Sequence, residues 1–155
     1  MFTAPSSDAT VARIYDYGLQ FGESRGEIRD ALGTPTRIEV RVQENRHVEG
    51  ATDSLFTLAY PGLTFELNRP GPVEGELLTS VRLLDGGREL PGGLRVGHMT
   101  RGELLERLGD PARTRSRGDT TVLVYDITGP AADRSVDLLV AGDTLRAVAW
   151  APYVD

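Results

Sequence analysis

The 155-residue chain contains no cysteine, no lysine, only two histidines and only one tryptophan. It also has no apolar run approaching the ~18 residues of a membrane-spanning helix. Without cysteine there are no disulfides, no thiolate nucleophile and no zinc–thiolate site, although the cellular compartment stays open. All 17 basic residues are arginine, which together with the frequent Gly, Ala and Leu reads as GC-rich coding bias and carries no mechanism. His47 and His98 stand about fifty residues apart in the sequence, and no HExxH, EF-hand or paired-His pattern accompanies them, so neither a metal nor a cofactor is expected. The net charge of −6 repels a phosphate backbone, so nucleic acid is not an expected partner.

With 39% hydrophobic and 26% charged residues, the composition is that of an ordinary globular protein able to bury a sizeable core. The opening Met1-Phe2-Thr3-Ala4-Pro5-Ser6-Ser7-Asp8 has neither the basic nor the apolar region of a signal peptide. It is equally what a trimmed mature protein would show. Residues 1–92 carry 14 acidic and 9 basic groups, and residues 93–155 carry 9 and 8.

An internal repeat organises the chain. Ser24-Arg25-Gly26-Glu27-Ile28 through Leu32-Gly33-Thr34-Pro35 matches Thr100-Arg101-Gly102-Glu103-Leu104 through Leu108-Gly109-Asp110-Pro111 at a constant offset of 76. Each copy spells a short helix. Ser24 and Thr100 suit the N-cap, Glu27 and Glu103 complete capping boxes, Gly33 and Gly109 fit the position that needs positive φ, and Pro35 and Pro111 stop continuation. Ile28/Leu32 and Leu104/Leu108 give each helix one apolar edge, which must be buried elsewhere because about eight residues cannot hold a helix alone.

Strand patterns follow each helix. Ile38, Val40 and Val42 alternate with Arg37, Glu39 and Arg41, and the corresponding run in the second copy is Arg113–Arg117. Leu55–Tyr60, Leu63–Leu67 and Leu77–Leu84 come next in the first copy, and Thr121–Asp126, Val136–Val140 and Leu145–Trp150 in the second. The expected fold is α+β: two tandem helix-plus-four-strand repeats, 1–92 and 93–155, in one structural domain. A mostly antiparallel, concave sheet of about eight strands carries the short helices on one face. Gly86-Gly87 and Gly92-Gly93 read as a flexible inter-repeat linker, and Gln43–Asp53 as a long loop present only in the first copy.

The motifs Gly22-Glu23-Ser24-Arg25-Gly26-Glu27-Ile28 and Met99-Thr100-Arg101-Gly102-Glu103-Leu104, the latter leading to Leu108-Gly109-Asp110-Pro111, resemble the Gly-Met-Thr-x-x-Gln/Glu-Val…Leu-Gly-x-Pro signature of two related groups. One is the β-lactamase inhibitor protein (BLIP) fold, a tandem duplication of helix-plus-four-strand units. The other is the SmpA/OmlA family of small outer-membrane lipoproteins. Leu139–Leu145 leading to Trp150 is similar to the inhibitor's last hairpin. The resemblance implies a non-catalytic domain that grips another protein with its concave sheet or flanking loops, in the periplasm or cell envelope of a bacterium. Anchoring through a lipidated N-terminus that has been removed is compatible with it.

Two sets of side chains are candidates for that grip. Tyr60 and Tyr125 close the second strands of their repeats, and Trp150 and Tyr153 lie on or after the last strand; such residues serve either as interface anchors or as core. Arg113, Arg115 and Arg117 form either a basic stripe for an acidic protein patch or a solvated strand face, and Arg115 is its centre. The expected function is therefore that of a non-enzymatic protein-binding or inhibitor-like domain. The alternatives are an outer-membrane assembly or structural lipoprotein and a small-ligand-binding protein, the last of which requires a deep pocket with converging polar groups.

Overall fold

Both capped segments are helices in the computed structural model, which describes residues 6–71, 75–84, 88–127 and 135–150. Helix α1 spans Ser6–Leu19, α2 Arg25–Leu32 and α3 Arg101–Leu108. The capping box is complete on α3: the Thr100 hydroxyl accepts from the Glu103 amide at 3.2 Å and the Glu103 carboxylate accepts from the Thr100 amide at 3.1 Å. On α2 the Ser24 hydroxyl accepts from the Glu27 amide at 3.2 Å, but the Glu27 carboxylate reaches one residue further back, to the Glu23 amide at 2.9 Å. Gly33 and Gly109 end the two helices at φ 84° and 77° with ψ near −160°, a region open essentially to glycine alone.

The described residues also form ten strands: β1 Arg37–Glu44, β2 Thr52–Tyr60, β3 Leu63–Arg69, β4 Leu77–Leu84, β5 Glu89–Leu90, β6 Leu94–Arg95, β7 Arg113–Arg117, β8 Thr120–Asp126, β9 Ser135–Ala141 and β10 Thr144–Trp150. Eight form one antiparallel sheet in the order β1-β2-β3-β4-β10-β9-β8-β7. Each repeat therefore contributes a four-strand meander, and the two meet along β4 and β10 with reversed order, as a pseudo-two-fold duplication requires. The likeness extends to the backbone: the Thr36 amide donates to the Ala59 carbonyl at 2.7 Å, and the Ala112 amide to the Val124 carbonyl at 2.8 Å.

One face of the sheet carries the core. Phe56 and Leu58 of β2, Phe65 and Leu67 of β3, Val81 and Leu83 of β4, and Leu138 and Val148 of β9 and β10 are buried there with Ile28, Leu104 and Leu108 of the helices. The apolar helix edges read from the sequence thus find the sheet they need. Arg25 ties α2 down: its side chain pairs with Glu76, its amide donates to the same carboxylate at 2.8 Å, and its guanidinium lies 3.6 Å from the Phe56 ring centroid.

Helix α1 is an addition to the expected plan. It packs on α3 and the 91–93 turn and buries Val11, Ile14 and Tyr15. The linker also differs from expectation. Pro91–Gly93 is a tight turn joining the β5–β6 ribbon, with Leu90 and Leu94 buried and the Gly92 carbonyl accepting from Arg107 at 2.7 Å. A flexible tether would bury neither leucine. Gly86 and Gly87 lie outside the described residues. The 43–53 loop is shorter than expected as well, because Gln43 and Glu44 pair with Asp53 and Thr52, so the loop proper is 45–51.

Candidate protein-binding face

Partners in an antiparallel ladder share a sheet face, so the registers define what lies opposite the helices. One row crosses all eight strands from Arg113 through Val124, Asp137, Ala149, Arg82, Thr64 and Ala59 to Arg37. A parallel row runs Arg115, Val122, Leu139, Ala147 and Leu84. No described helix covers these rows, and arginines are spread along them.

Several shallow hollows indent this face. One, of about 330 Å³, lies in the first repeat among Glu39, Arg41, Leu55, Thr57 and Glu66. Another, of about 310 Å³, lies beside the 45–51 loop among Gln43, Asn45, Asp53, Asn68 and Thr79. A third, of about 270 Å³, is lined by Val122, Leu139 and Ala149 together with Arg82, Arg115, Arg117 and Asp137. Volumes at or below the small end of ligand pockets, with charged rims, suit contact with a protruding surface better than enclosure of a small molecule. The rim is partly neutralised. Arg113 grips Asp126 with two bonds of 3.0 Å, and Arg115 donates to Asp137 at 3.2 Å. Burial raises the Asp137 carboxyl above its ordinary value while Arg115 and Arg113 pull it back. Among the described residues Arg82 and Arg117 have no ion-pair partner.

Arg115 is therefore on the open face, as a binding residue must be. The aromatic candidates are not. Tyr60 is 8% exposed, Tyr125 4% and Trp150 1%, all on the helix side. The Tyr60 hydroxyl donates to the Gly33 carbonyl and the Tyr125 hydroxyl to the Gly109 carbonyl, each at 2.9 Å, so in both repeats a tyrosine satisfies the end of the helix. Burial, supported by the charge of Asp110 and opposed by Arg101, pushes the Tyr125 phenol up to about 12; burial also raises Tyr60, against Arg29. Trp150 donates from Nε1 to the Ile14 carbonyl at 2.9 Å and fixes α1 to the sheet. These three are core residues, and a partner cannot reach them on the folded chain. Tyr153 lies outside the described residues.

Sequence reasoning missed Arg82, Val122 and Leu139. The signal for Arg82 was present: it sits between Val81 and Leu83, whose burial puts it on the opposite face by strand alternation. His47 and His98 are both exposed, and no cluster of metal-binding side chains occurs among the described residues. The 45–51 loop is internally braced. Asn45 accepts from the His47 and Val48 amides at 2.8 Å and donates to Asp53 at 2.7 Å, while the Gly71 amide donates to the same Asp53 oxygen at 3.2 Å.

No family model matches the sequence, and a search of curated proteins gives no match. Among solved structures, a DUF4309 family protein (YjgB) from Bacillus subtilis is similar to this chain at a TM-score of 0.56 and 18% identity, covering 94% of this chain and 97% of its own. That likeness establishes a shared fold over nearly the whole length and says nothing of activity. A putative beta-lactamase inhibitor protein from Streptococcus mutans aligns over 82% of this chain and 81% of its own at 16% identity, with a TM-score of 0.29 that carries no argument.

Proposed function

We propose that this chain is a non-catalytic protein-binding domain that docks through the helix-free sheet face, with the hollow rimmed by Arg82, Arg115 and Arg117 as its centre. The supporting observation is that hollow, where Val122, Leu139 and Ala149 stand among three arginines and the single carboxylate of Asp137, which Arg115 engages. Desolvated apolar contact surrounded by charge is the anatomy of a protein interface. The partner is then a protein that offers an apolar side chain flanked by carboxylates, drawn to a local basic field on a molecule whose net charge is −6. In this reading the domain works in the bacterial cell envelope, free or lipid-anchored, a placement that rests on the resemblance of the two helix-cap motifs to envelope families.

The test is affinity capture from an envelope extract of the source organism, with wild type compared against an Arg82→Ala/Arg117→Ala variant whose fold is verified by circular dichroism. Neither arginine holds an ion pair among the described residues, so the fold should survive. The reading expects a specific protein partner that is retained by wild type, lost by the variant and released by moderate salt. Specific capture that the folded variant retains in full would falsify the open-face assignment. Recovery of the native protein only from cytosolic fractions would remove the envelope placement.

A further inference from the structure

The two edges of the sheet are equivalent by the duplication but not in chemistry. On β7 the helix side carries Thr114 and Ser116; at the matching positions β1 carries Ile38 and Val40, followed by Val42, and these are 46%, 59% and 64% exposed. On the open side β7 has Arg113, Arg115 and Arg117, and β1 has Arg37, Glu39 and Arg41. Self-pairing of β7 in any face-matched register sets arginine against arginine, which is how natural edges are protected. The single exchange to glutamate at position 39 reverses that on β1.

The β1 edge also has its hydrogen-bonding groups in place. The Asn45 amide donates to the Ala51 carbonyl at 2.9 Å, continuing the register in which Gln43 faces Asp53. Odd-numbered residues of β1 therefore bond to β2, and Ile38, Val40 and Val42 direct their amides and carbonyls away from the sheet.

We propose that two copies of this chain pair β1 against β1, antiparallel about a two-fold axis at Val40, joining their eight-stranded sheets into one. That register sets Val40 against Val40 of the second copy and Ile38 against Val42, the residues with outward-facing amides. It also sets Glu39 against Arg41 on both sides of the axis, and Arg37 against Gln43. Moving the axis to position 39 opposes Glu39 with Glu39 and Arg37 with Arg41. Moving it to 41 opposes Arg41 with itself and Ile38 with Glu44. Only the axis at Val40 pairs all three apolar residues with apolar residues and both Glu39–Arg41 couples with opposite charge, and opposed charges across strands stabilise where like charges destabilise. The contact is isologous and closes at two copies.

The experiment is sedimentation velocity on the intact chain over a micromolar-to-millimolar series, with wild type, Glu39→Arg, Arg41→Glu and the double exchange compared. Wild type should approach twice the 16.8 kDa chain mass. Each single variant puts like charges opposite each other twice and should dimerise at least ~10-fold more weakly. The double exchange should restore wild-type association, and an equimolar mixture of the two singles should form a heterodimer, because each then supplies the charge the other lacks. In wild type the amides of Ile38, Val40 and Val42 should gain hydrogen-exchange protection as concentration rises. A monomer throughout the series, polymers beyond two copies, or a dimer indifferent to both single exchanges overturns the proposal.

Discussion

Replacing Tyr125 by Phe removes one oxygen and separates two roles of the buried phenol. At neutral pH the loss is that of the hydroxyl's 2.9 Å bond to the Gly109 carbonyl, the acceptor at the end of α3. Because the ring remains and the carbonyl loses a partner in a partly buried setting, the cost should be about 1–2 kcal/mol. At alkaline pH the same hydroxyl becomes a liability to wild type alone. Its pKa is raised from 10.0 to about 12 in the folded protein, so the folded state holds its proton where the unfolded state releases it. The stabilisation is complete below pH 10 and is lost as pH rises from 10 towards 12. By pH 11 the loss is about 1.4 kcal/mol. The advantage of wild type over Tyr125→Phe should therefore nearly vanish by pH 11. Tyr60 is also raised but is present in both proteins, so its contribution largely cancels in the difference. Urea unfolding followed by the fluorescence of the single tryptophan, Trp150, gives both free energies across pH 8–11. A difference that stays constant over that range refutes the shifted phenol, and no difference at pH 8 refutes the bond to the helix end.

Two further substitutions test the scaffold. A Cβ added at Gly18 would lie 2.6 Å from Cδ2 and Cε2 of Trp150, a ring held by its own hydrogen bond, so Gly18→Ala should lower stability by about 1–2 kcal/mol in thermal or urea unfolding even though alanine favours a helix. An increase in stability would mean that α1 does not rest on Trp150. Thr100→Ala dismantles a complete capping box and Ser24→Ala only half of one, so Thr100→Ala should cost about 1 kcal/mol and Ser24→Ala less, as seen in chemical denaturation.

The parts of this fold that were legible in the sequence are those fixed by neighbours in the chain. Caps, terminal glycines and period-2 strands depend on residues within a few positions, and α2, α3 and all eight strands of the large sheet stand where those signals put them. What strand alternation cannot supply is which face is covered. Tyr60 shares parity with Phe56 and Leu58, so the three share a face, but only the docking of Ile28 and α1 makes that face the interior. Further back on β10 even parity fails, because the β9–β10 register shifts between Leu145 and Ala147, so that Leu145 is buried along with Val148 and Trp150. Helix α1 did leave a trace: Val11, Ile14, Tyr15 and Gly18 fall at i, i+3, i+4 and i+7. The stripe is short and polar residues surround it, so its apolar character only becomes decisive against α3 and Trp150.

The two surface assignments concern different parts of one continuous sheet: the hollow lies on its helix-free face, and the apolar stripe of Ile38, Val40 and Val42 lies on the helix side of its β1 edge. In strand order the arginine-rimmed hollow is built from β4, β10, β9, β8 and β7, whereas the apolar edge stripe is on β1, beyond β2 and β3. Pairing along β1 extends the helix-free face without covering it, because the added strands continue in the plane of the sheet. Two arginine-rimmed hollows would then lie on one surface, related by the two-fold axis. A partner engaging both would gain from effective concentration without any new contact. The asymmetry between repeats thus has separable consequences: Arg115 and Arg117 on β7 form part of the hollow and guard one edge, while Glu39 with the valines of β1 leaves the other edge open for self-pairing.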